Sequence, residues 1–345
     1  MHIPDGYLSP STCAIMYTGA GVAWYASLRR VRRTLNARLI PLISVFAAFC
    51  FIVMMFNLPL PGGTTSHAIG VSIAAIVLGP AGAILATSIA LAIQALFFGD
   101  GGITTLGANC FNIAVVASLV SYACYRLIAS NAPLISRRRV FASAVAGYLA
   151  INMAALLTAV EFGLQPIFFH DPQGVPLYAP YSLRVAVPAM MLGHLAVAGL
   201  AEAAITAGMV AFLQHADPAL LSAASGDAAA TMAAEPIRPN SLRRLWITVA
   251  LLMFLAPLGI LAAGTAWGEW SLSGETHYTS SSPSFALHRL ATIWTAPMPA
   301  YAPPFVKSAS FGYLLSAMFG VGLMLAGSLL VQKLWKRRST AGSTP

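Results

Sequence analysis

Long apolar blocks separated by short polar segments occupy most of the chain. They cover roughly 11–28, 39–57, 66–79, 81–98, 104–129, 140–160, 184–213, 245–265 and 311–334. Several are about 20 residues long, the length that an α-helix needs to cross a hydrocarbon layer roughly 30 Å thick. Gly79-Pro80 is a strong turn signal and divides the long stretch before Phe98 into two spans. The pattern predicts an all-α polytopic membrane protein with about nine transmembrane helices.

Composition and charge support this interpretation. The chain of 345 residues is 58% hydrophobic and 8% charged, whereas a soluble domain carries about 25% charged residues. A net charge of +9 would suggest nucleic acid if the basic residues formed a stripe on a soluble domain. Instead they cluster between apolar blocks, at 29–38, 137–139, 238–244 and 333–338. We therefore predict that the chain lies in a lipid bilayer and does not bind nucleic acid.

The basic clusters also predict an orientation. If the N-terminus lies outside, nine spans place every cluster in the cytoplasm, as the positive-inside rule requires. We expect a multi-pass protein of the inner (cytoplasmic) membrane with its N-terminus outside and its C-terminus in the cytoplasm. The opening MHIPDGYLSP lacks the features of a signal peptide, so Met1 is expected to be the mature N-terminus.

The chain is expected to contain two fused modules. Residues 216–240 are rich in Ala, Ser, Asp and Pro, which is typical of a flexible cytoplasmic linker. The linker separates a seven-span unit, residues 1–215, from a two-span unit, residues 241–345, with a long outer loop.

The predicted outer face carries the chemistry. Met1-His2 supplies an α-amine, an amide nitrogen and an imidazole Nδ1, which fused chelate rings would hold in nearly one plane. A planar nitrogen set suits Ni²⁺ or Cu²⁺. His67, at the outer end of the third span, is the candidate for a fourth nitrogen, because ionisable residues at membrane depth are functional candidates. The alternative for His67 is a hydrogen-bonded interfacial histidine.

Other polar residues leave alternatives open. Asp5 and Asp100 lie in Asp-Gly turns, where each either orients a metal ligand or simply forms the turn. Ser66 and Asn109 are further candidates to surround the ligands. His194 is either a packed core residue, which we favour, or a group near the site. The sequence assigns no role to the other outer histidines: His170, His277 and His288.

Several catalytic motifs are absent from the sequence. There is no G-x-x-x-x-G-K-[ST] phosphate loop, no H-E-x-x-H and no serine nucleophile elbow. We therefore expect neither an enzyme nor a bound nucleotide, so the energy for any active transport must come from another subunit.

A membrane metalloenzyme using His67 and His194 is the disfavoured rival. Its general base would have to be Glu202, about two helical turns beyond His194 towards the cytoplasm. A passive metal channel is a second disfavoured rival, because it would need polar groups throughout its pore and the apolar spans do not supply them.

Four long motifs indicate a family: MHIPDGYLSP at 1–10, FNLPLPGGTTSHAIG at 56–70, VLGPAGA at 77–83 and QALFFGDGGITTLGANCFN at 94–112. They closely resemble the nickel branch of the CbiM/NikM family. Its members are the substrate-binding (S) components of energy-coupling-factor (ECF) transporters for nickel and cobalt. The resemblance covers about residues 1–215 and implies an additional N-terminal helix before a six-helix core.

The resemblance implies the ligand set. Family members bind the metal in a square plane through the N-terminal amine, the amide and imidazole nitrogens of the second residue, and one further histidine. The matching residues here are Met1, His2 and His67. The implied cargo is Ni²⁺, with Co²⁺ as the alternative, because cobalt members more often begin Met-His-Ile-Met-Glu-Gly where this chain has Pro4-Asp5.

The resemblance also implies partners. The unit at 241–340, with its AWGEW run at 266–270, is similar to the NikN-type accessory component that is often fused to the S component. In the family, the two work with a transmembrane coupling (T) subunit and two ABC ATPases. Those ATPases would supply the phosphate loop that this chain lacks.

Overall fold

The protein is built almost entirely of helices, as its apolar blocks predict. Its structure, a computed structural model, describes residues 1–34, 39–60, 65–225, 239–262 and 289–341. The α-helices in these residues are α1 (Pro10–Thr34), α2 (Leu39–Met54), α3 (Val71–Ile93), α4 (Leu106–Asn109), α5 (Ala117–Ala129), α6 (Arg137–Phe168), α7 (Leu183–Gly193), α8 (Gly199–Ala216), α9 (Pro239–Leu255) and α10 (Ala309–Ala341). The predicted all-α fold class is confirmed.

Wider and tighter helical turns extend or join these helices. π-helical turns continue α3 (Gln94–Phe98), join α4 to α5 (Cys110–Val116) and join α7 to α8 (His194–Ala198). Short 3-10 helices follow α8 (Pro218–Ser225), follow α9 (Ala256–Leu261) and precede α10 (Pro299–Tyr301). Two short strands, β1 (Leu58–Pro59) and β2 (Thr65–Ser66), pair antiparallel with Leu58 opposite Ser66.

The helical stretch from Val71 to Phe98 changes direction at Gly79. The Gly79 backbone has φ +72° and ψ 167°, a conformation that is essentially restricted to glycine. A straight helix of this length would hold its ends about 40 Å apart. However, His2 contacts both His67, just before the stretch, and Asp100, just after it. The chain therefore folds back at Gly79 into two antiparallel legs, as Gly79-Pro80 predicts.

The helical segments match the predicted spans. Six stretches are long and apolar enough to cross a membrane: Val71–Phe98, Leu106–Ala129, Arg137–Phe168, Leu183–Ala216, Leu242–Leu261 and Ala309–Lys333. The first of them provides two legs, and α2 is a shorter apolar helix. Helix α1 is less apolar because its last turn carries Arg32 and Arg33. Together these segments fit the predicted arrangement of about nine passes.

Helix α6 packs against α5, α7 and α8. It begins after Ser136, whose hydroxyl accepts the N–H of Arg139 at 3.4 Å, a typical N-cap. Its buried face is built from small residues, among them Ala146, Gly147 and Ala150. Small residues let helix backbones approach closely in lipid. A β-carbon added at Gly147 would lie 2.9 Å from the Thr206 hydroxyl of α8.

Basic residues gather at the end of the bundle where α5 and α8 finish and α6 and α9 begin. Arg138 Nε donates to the Ile128 carbonyl at 2.6 Å, and Arg244 donates to the Ala216 carbonyl at 3.2 Å. The opposite end holds the N-terminus and the loop at Asp100, which meet through His2. We call this opposite end the site end. The charge asymmetry that the sequence predicts is therefore present between the two ends of the fold.

Helices α9 and α10, from the predicted second module, pack against α2. The Ser44 hydroxyl donates to the Met324 carbonyl at 2.9 Å, and the Tyr313 hydroxyl donates to the Met55 carbonyl at 2.7 Å. Within the predicted linker, residues 226–238 lie outside the described residues. The AWGEW run, His277 and His288 also lie outside them.

The reversal at Gly79 is testable by substitution. Gly79→Ala is expected to lower the free energy of unfolding by about 1–3 kcal/mol, because alanine disfavours this backbone conformation. The added methyl itself meets no atom within 4 Å. Thermal unfolding in detergent measures the effect.

Gly208→Ala is the matched control. Gly208 lies inside helix α8, and an added β-carbon there also meets nothing within 4 Å. Alanine is favoured over glycine in a helix by about 0.5–1 kcal/mol, so this variant is expected to be at least as stable as the unmodified chain. Equal unfolding temperatures for the two variants would contradict the role assigned to Gly79.

Candidate metal centre

The first residues of the chain are held by helix α4 and the loop that precedes it. Asn109 makes two hydrogen bonds with Ile3: its Oδ1 accepts the Ile3 N–H at 2.8 Å, and its Nδ2 donates to the Ile3 carbonyl at 3.0 Å. The same carbonyl also accepts from the Thr105 hydroxyl at 2.6 Å and from the Gly102 N–H at 2.9 Å. Met1, His2 and Ile3 are all buried. The N-terminus is thus part of the core rather than a loose tail.

Asp5 also binds the N-terminal segment to the loop that precedes α4. Its carboxylate accepts the N–H of Ile103 at 3.0 Å and the N–H and hydroxyl of Thr104, the former at 2.7 Å. A β-carbon at Gly102 would overlap Asp5, so glycine is required for this close approach. The carboxylate of Asp5 therefore fixes the loop at Ile103 and Thr104, a role that differs from both of those that the sequence leaves open.

His67 lies between β2 and α3. Glu202 of α8 caps the start of α3: its Oε2 accepts the N–H groups of Ile69 and Gly70, both at 2.8 Å. A carboxylate is favoured at a helix N-terminus, where N–H groups lack partners within the helix. Gly70 takes the left-handed conformation, with φ +68°. Glu202 therefore holds the backbone two residues beyond His67.

The N-terminus and His67 converge at one place. The rings of His2 and His67 are 4.9 Å apart between centroids, and both side chains are buried. Burial and the positive α-amine of Met1 hold the pKa of His67 well below its usual range, which keeps the imidazole neutral and able to bind a metal. The Nδ1 of His67 lies 3.0 Å from the Ala68 carbonyl. With a proton on that nitrogen, Nε2 carries the free lone pair.

Asp100 touches the site directly. Its Oδ1 lies 2.6 Å from Nδ1 of His2, and its Oδ2 accepts the hydroxyl of Tyr301 at 2.6 Å. Burial alone would raise the pKa of this carboxyl. The charge and hydrogen bond of the His2 ring, together with His67 and the Tyr301 hydroxyl, outweigh burial and hold the pKa well below the usual range. Asp100 is therefore an ionised acceptor placed against His2, in addition to forming the Asp-Gly turn.

The remaining predicted residues are distributed as follows. Ser66 is fully buried beside His67 in the sequence, and its hydroxyl has no hydrogen-bond partner within the described part of the chain. His194 is buried, with Nδ1 2.8 Å from the Met190 carbonyl, and its π-helical segment contacts β2. His170 is exposed. Thus the structure brings His2, His67 and Asp100 together and leaves His170 at the surface.

Two contributors were not recognised as site residues from the sequence. The sequence suggests Glu202 only as the general base of the disfavoured metalloenzyme, yet its carboxylate reaches the backbone of Ile69 and Gly70, close to His67. Its sequence signal was its position as an acidic residue inside an apolar span. Tyr301 contacts Asp100 from the second module. No sequence pattern distinguished it from the other tyrosines of the chain.

The arrangement can present nitrogen donors to a metal. Among the described residues, no group of three or more His, Cys, Asp or Glu side chains is placed to hold an ion. The donors that the structure brings together at this place are the two imidazoles and the main-chain nitrogens of the N-terminus beside them. Nitrogen donors of this kind suit Ni²⁺, Cu²⁺ and Co²⁺ better than Mg²⁺ or Ca²⁺, which prefer oxygen.

Comparison with known proteins identifies the family. Residues 2–220 match the CbiM family, described as "Cobalt uptake substrate-specific transmembrane region". The chain belongs to the CbiM family. Because the match includes His2, His67 and Asp100, the converging residues all lie inside the family region.

Individual relatives extend the similarity beyond the CbiM region. The chain is 51% identical to the "Fused nickel transport protein NikMN" of Rhodobacter capsulatus, over 95% of this chain and 96% of that protein. It is 39% identical to the "Probable fused nickel transport protein LarMN" of Lactiplantibacillus plantarum, over 99% of both. A crystal structure of a transition metal transporter matches with 50% identity and a TM-score of 0.59, over 62% of this chain and 93% of that one. The resemblance to a fused NikMN-type protein is confirmed.

The anchoring of Ile3 predicts a binding defect. Asn109→Ala is expected to weaken nickel affinity by about 10–100-fold, the usual effect of losing a group that orients ligands. Titration of the purified chain with Ni²⁺ measures it. Asn152→Ala is the control, because it also removes a buried amide, whose Nδ2 donates to Tyr148 in its own helix. Equal losses in the two variants would show that the Ile3 contact is not special.

Proposed function

We propose that this chain is the substrate-binding component of an importer for Ni²⁺. The observation that carries the proposal is the convergence of the buried N-terminus with His67, at 4.9 Å between the His2 and His67 rings. The ligands are the α-amine of Met1, the Met1–His2 amide nitrogen, the imidazole of His2 and the imidazole of His67. Asp100, Asp5, Asn109 and Ser66 surround them.

Chelation through Nδ1 of His2 requires a small rearrangement. In this structure Nδ1 faces Asp100 at 2.6 Å. A half-turn of the ring about its Cβ–Cγ bond turns Nδ1 away, puts Cδ2 in its place and brings Nε2 to the side of Asp100, within reach of the carboxylate after a shift of the ring. The carboxylate then accepts the Nε2 proton while Nδ1 binds the metal, a common arrangement for metal-bound histidine.

Two arguments support Ni²⁺ as the cargo, with Co²⁺ as the alternative. Fused chelate rings at Met1-His2 place nitrogens in one plane, a geometry that Ni²⁺ accepts readily. The relatives that share the whole length of the chain carry nickel in their names. The family description names cobalt. If the chain prefers Co²⁺, the proposed ion changes from Ni²⁺ to Co²⁺, and the proposed role in metal import stays the same.

Partner subunits are proposed to supply the energy. The sequence has no phosphate loop, so ATP hydrolysis must take place elsewhere. We assign it to two ABC ATPases acting through a T subunit, in the cytoplasmic membrane. The N-terminus and metal site then lie outside and the basic end in the cytoplasm, following the positive-inside rule. Residues 1–215 form the S component, 216–240 the linker and 241–345 the NikN-like module.

A transport role is favoured over a metalloenzyme. The rival needs a general base near the metal and an open coordination position for water. Glu202 was the candidate base, and one of its oxygens is already engaged by the Ile69 and Gly70 N–H groups.

Substitution of the side-chain ligands tests the site. His2→Ala and His67→Ala are each expected to weaken nickel binding by more than about 100-fold, since losing a ligand costs more than losing a residue that orients one. The control is His170→Ala, which removes an exposed histidine of the same end of the fold and should bind nickel normally. Retained binding in His67→Ala would overturn the ligand set.

Absorption spectroscopy of the same samples identifies the metal geometry. A yellow, diamagnetic nickel complex is expected for a square-planar nitrogen set. Preferred binding of Co²⁺, with the absorption spectrum of an octahedral complex, would show that the transported ion is Co²⁺ rather than Ni²⁺. Absence of binding for either ion in the unmodified chain would remove the proposed function.

The α-amine is testable independently of every side chain. An N-terminal extension converts the amine of Met1 into an amide, so it is expected to abolish nickel binding while leaving all histidines intact. The same extension at the C-terminus is the control and should bind normally. Nickel uptake by cells with the N-terminally extended chain would contradict the proposed site.

A further inference from the structure

A short segment of the second module lies against the loop that carries Asp100. Trp294 Nε1 donates to the Leu96 carbonyl at 2.9 Å, and the Met298 N–H donates to the Phe97 carbonyl at 3.0 Å. These carbonyls belong to the last turn before Asp100, where a helix leaves its final carbonyls without partners in the helix itself. The second module therefore satisfies the end of the helix that leads into the metal site.

Tyr301 continues this contact into the site. Its hydroxyl accepts a hydrogen bond from Gln94 Nε2 at 2.9 Å and donates to Asp100 Oδ2 at 2.6 Å. Because Gln94 occupies an acceptor position of the phenol oxygen, the phenol hydrogen is directed to the carboxylate. Asp100 Oδ1 is left facing His2 at 2.6 Å. One chain of hydrogen bonds thus runs from the second module through Asp100 to His2.

The tyrosine itself is rigidly held. Its ring stacks on Phe98, with centroids 4.7 Å apart and planes 24° apart, and its carbonyl accepts the Ser316 hydroxyl of α10 at 2.9 Å. Ala300 and Tyr301 both have positive φ, 54° and 59°. This conformation is uncommon for residues other than glycine and is concentrated at functional sites. The surrounding contacts hold the backbone in this shape, and the shape presents the phenol to Asp100.

We propose that Tyr301 is a positioning residue for the metal centre, through which the second module controls the orientation of His2. Tyr301 fixes one oxygen of Asp100, so the other oxygen is held where it meets the imidazole of His2. The inference rests on the proposed function, since it assigns a role at the same site. It gives the second module a direct part in metal capture.

The test compares two tyrosines of the second module in the full chain. Tyr301→Phe removes the phenol and keeps the stacked ring. Tyr313→Phe is the matched control, because it also removes a buried phenol that donates across to the first module, at Met55, and touches none of the ligands. Nickel titration is expected to give about tenfold weaker binding for Tyr301→Phe and unchanged binding for Tyr313→Phe. The nickel absorption band should shift only in Tyr301→Phe.

A double-mutant cycle separates action through Asp100 from a general loss of structure. If Tyr301 acts through Asp100, adding Tyr301→Phe to Asp100→Asn should weaken binding no further. Additive losses, equal losses in the two tyrosine variants, or no loss in Tyr301→Phe would each overturn the inference while leaving the proposed function intact. An unmodified chain that binds neither Ni²⁺ nor Co²⁺ would remove the proposed function, and this inference with it.

A second variant tests the same inference in case Tyr301→Phe does not fold. Gln94→Leu removes the hydrogen bond that directs the phenol and leaves the tyrosine in place. Weaker nickel binding than in Tyr313→Phe supports the inference, and equal binding overturns it.

Discussion

The burial of the N-terminal tripeptide is the constraint on which the metal site depends. Asn109, Thr105 and Gly102 together satisfy both backbone groups of Ile3. A buried backbone group without a partner would be costly in a bilayer, so these contacts both allow the burial and define its position. Once Ile3 is placed, the preceding amide and amine have few positions open to them, and His2 faces His67.

The other half of the site depends on how α3 begins and ends. Glu202 holds the backbone beside His67, and the reversal at Gly79 returns the chain to the same end of the bundle at Asp100. Two legs of a folded helix thus bring together residues that a straight helix would separate by about 40 Å. Rigid elements of the first module therefore hold the backbone beside His67 and the turn at Asp100 at the same end of the bundle.

The proposed metal site combines a neutral imidazole with an ionised carboxylate. Among the residues that the structure describes, Asp100 is the carboxylate that contacts a proposed ligand, the ring of His2. Burial and the nearby α-amine keep His67 neutral by lowering its pKa, so a metal ion meets a lone pair there rather than a competing proton. A water-poor surrounding strengthens each of these interactions.

The sequence by itself determined the membrane character, the number of spans, the turn at Gly79-Pro80 and the family, because each is a local pattern: apolar length, a Gly-Pro pair or a contiguous motif. The proposed ligands Met1, His2 and His67 could also be selected from the sequence, since two of the three are adjacent and the third lies within a motif. The choice between turn and ligand support for Asp100, the capping by Glu202 and the approach of Tyr301 were decided only by the tertiary structure. These contacts join residues 98, 132 and 201 positions apart. Helix packing brings such distant groups together, and no local periodicity records it.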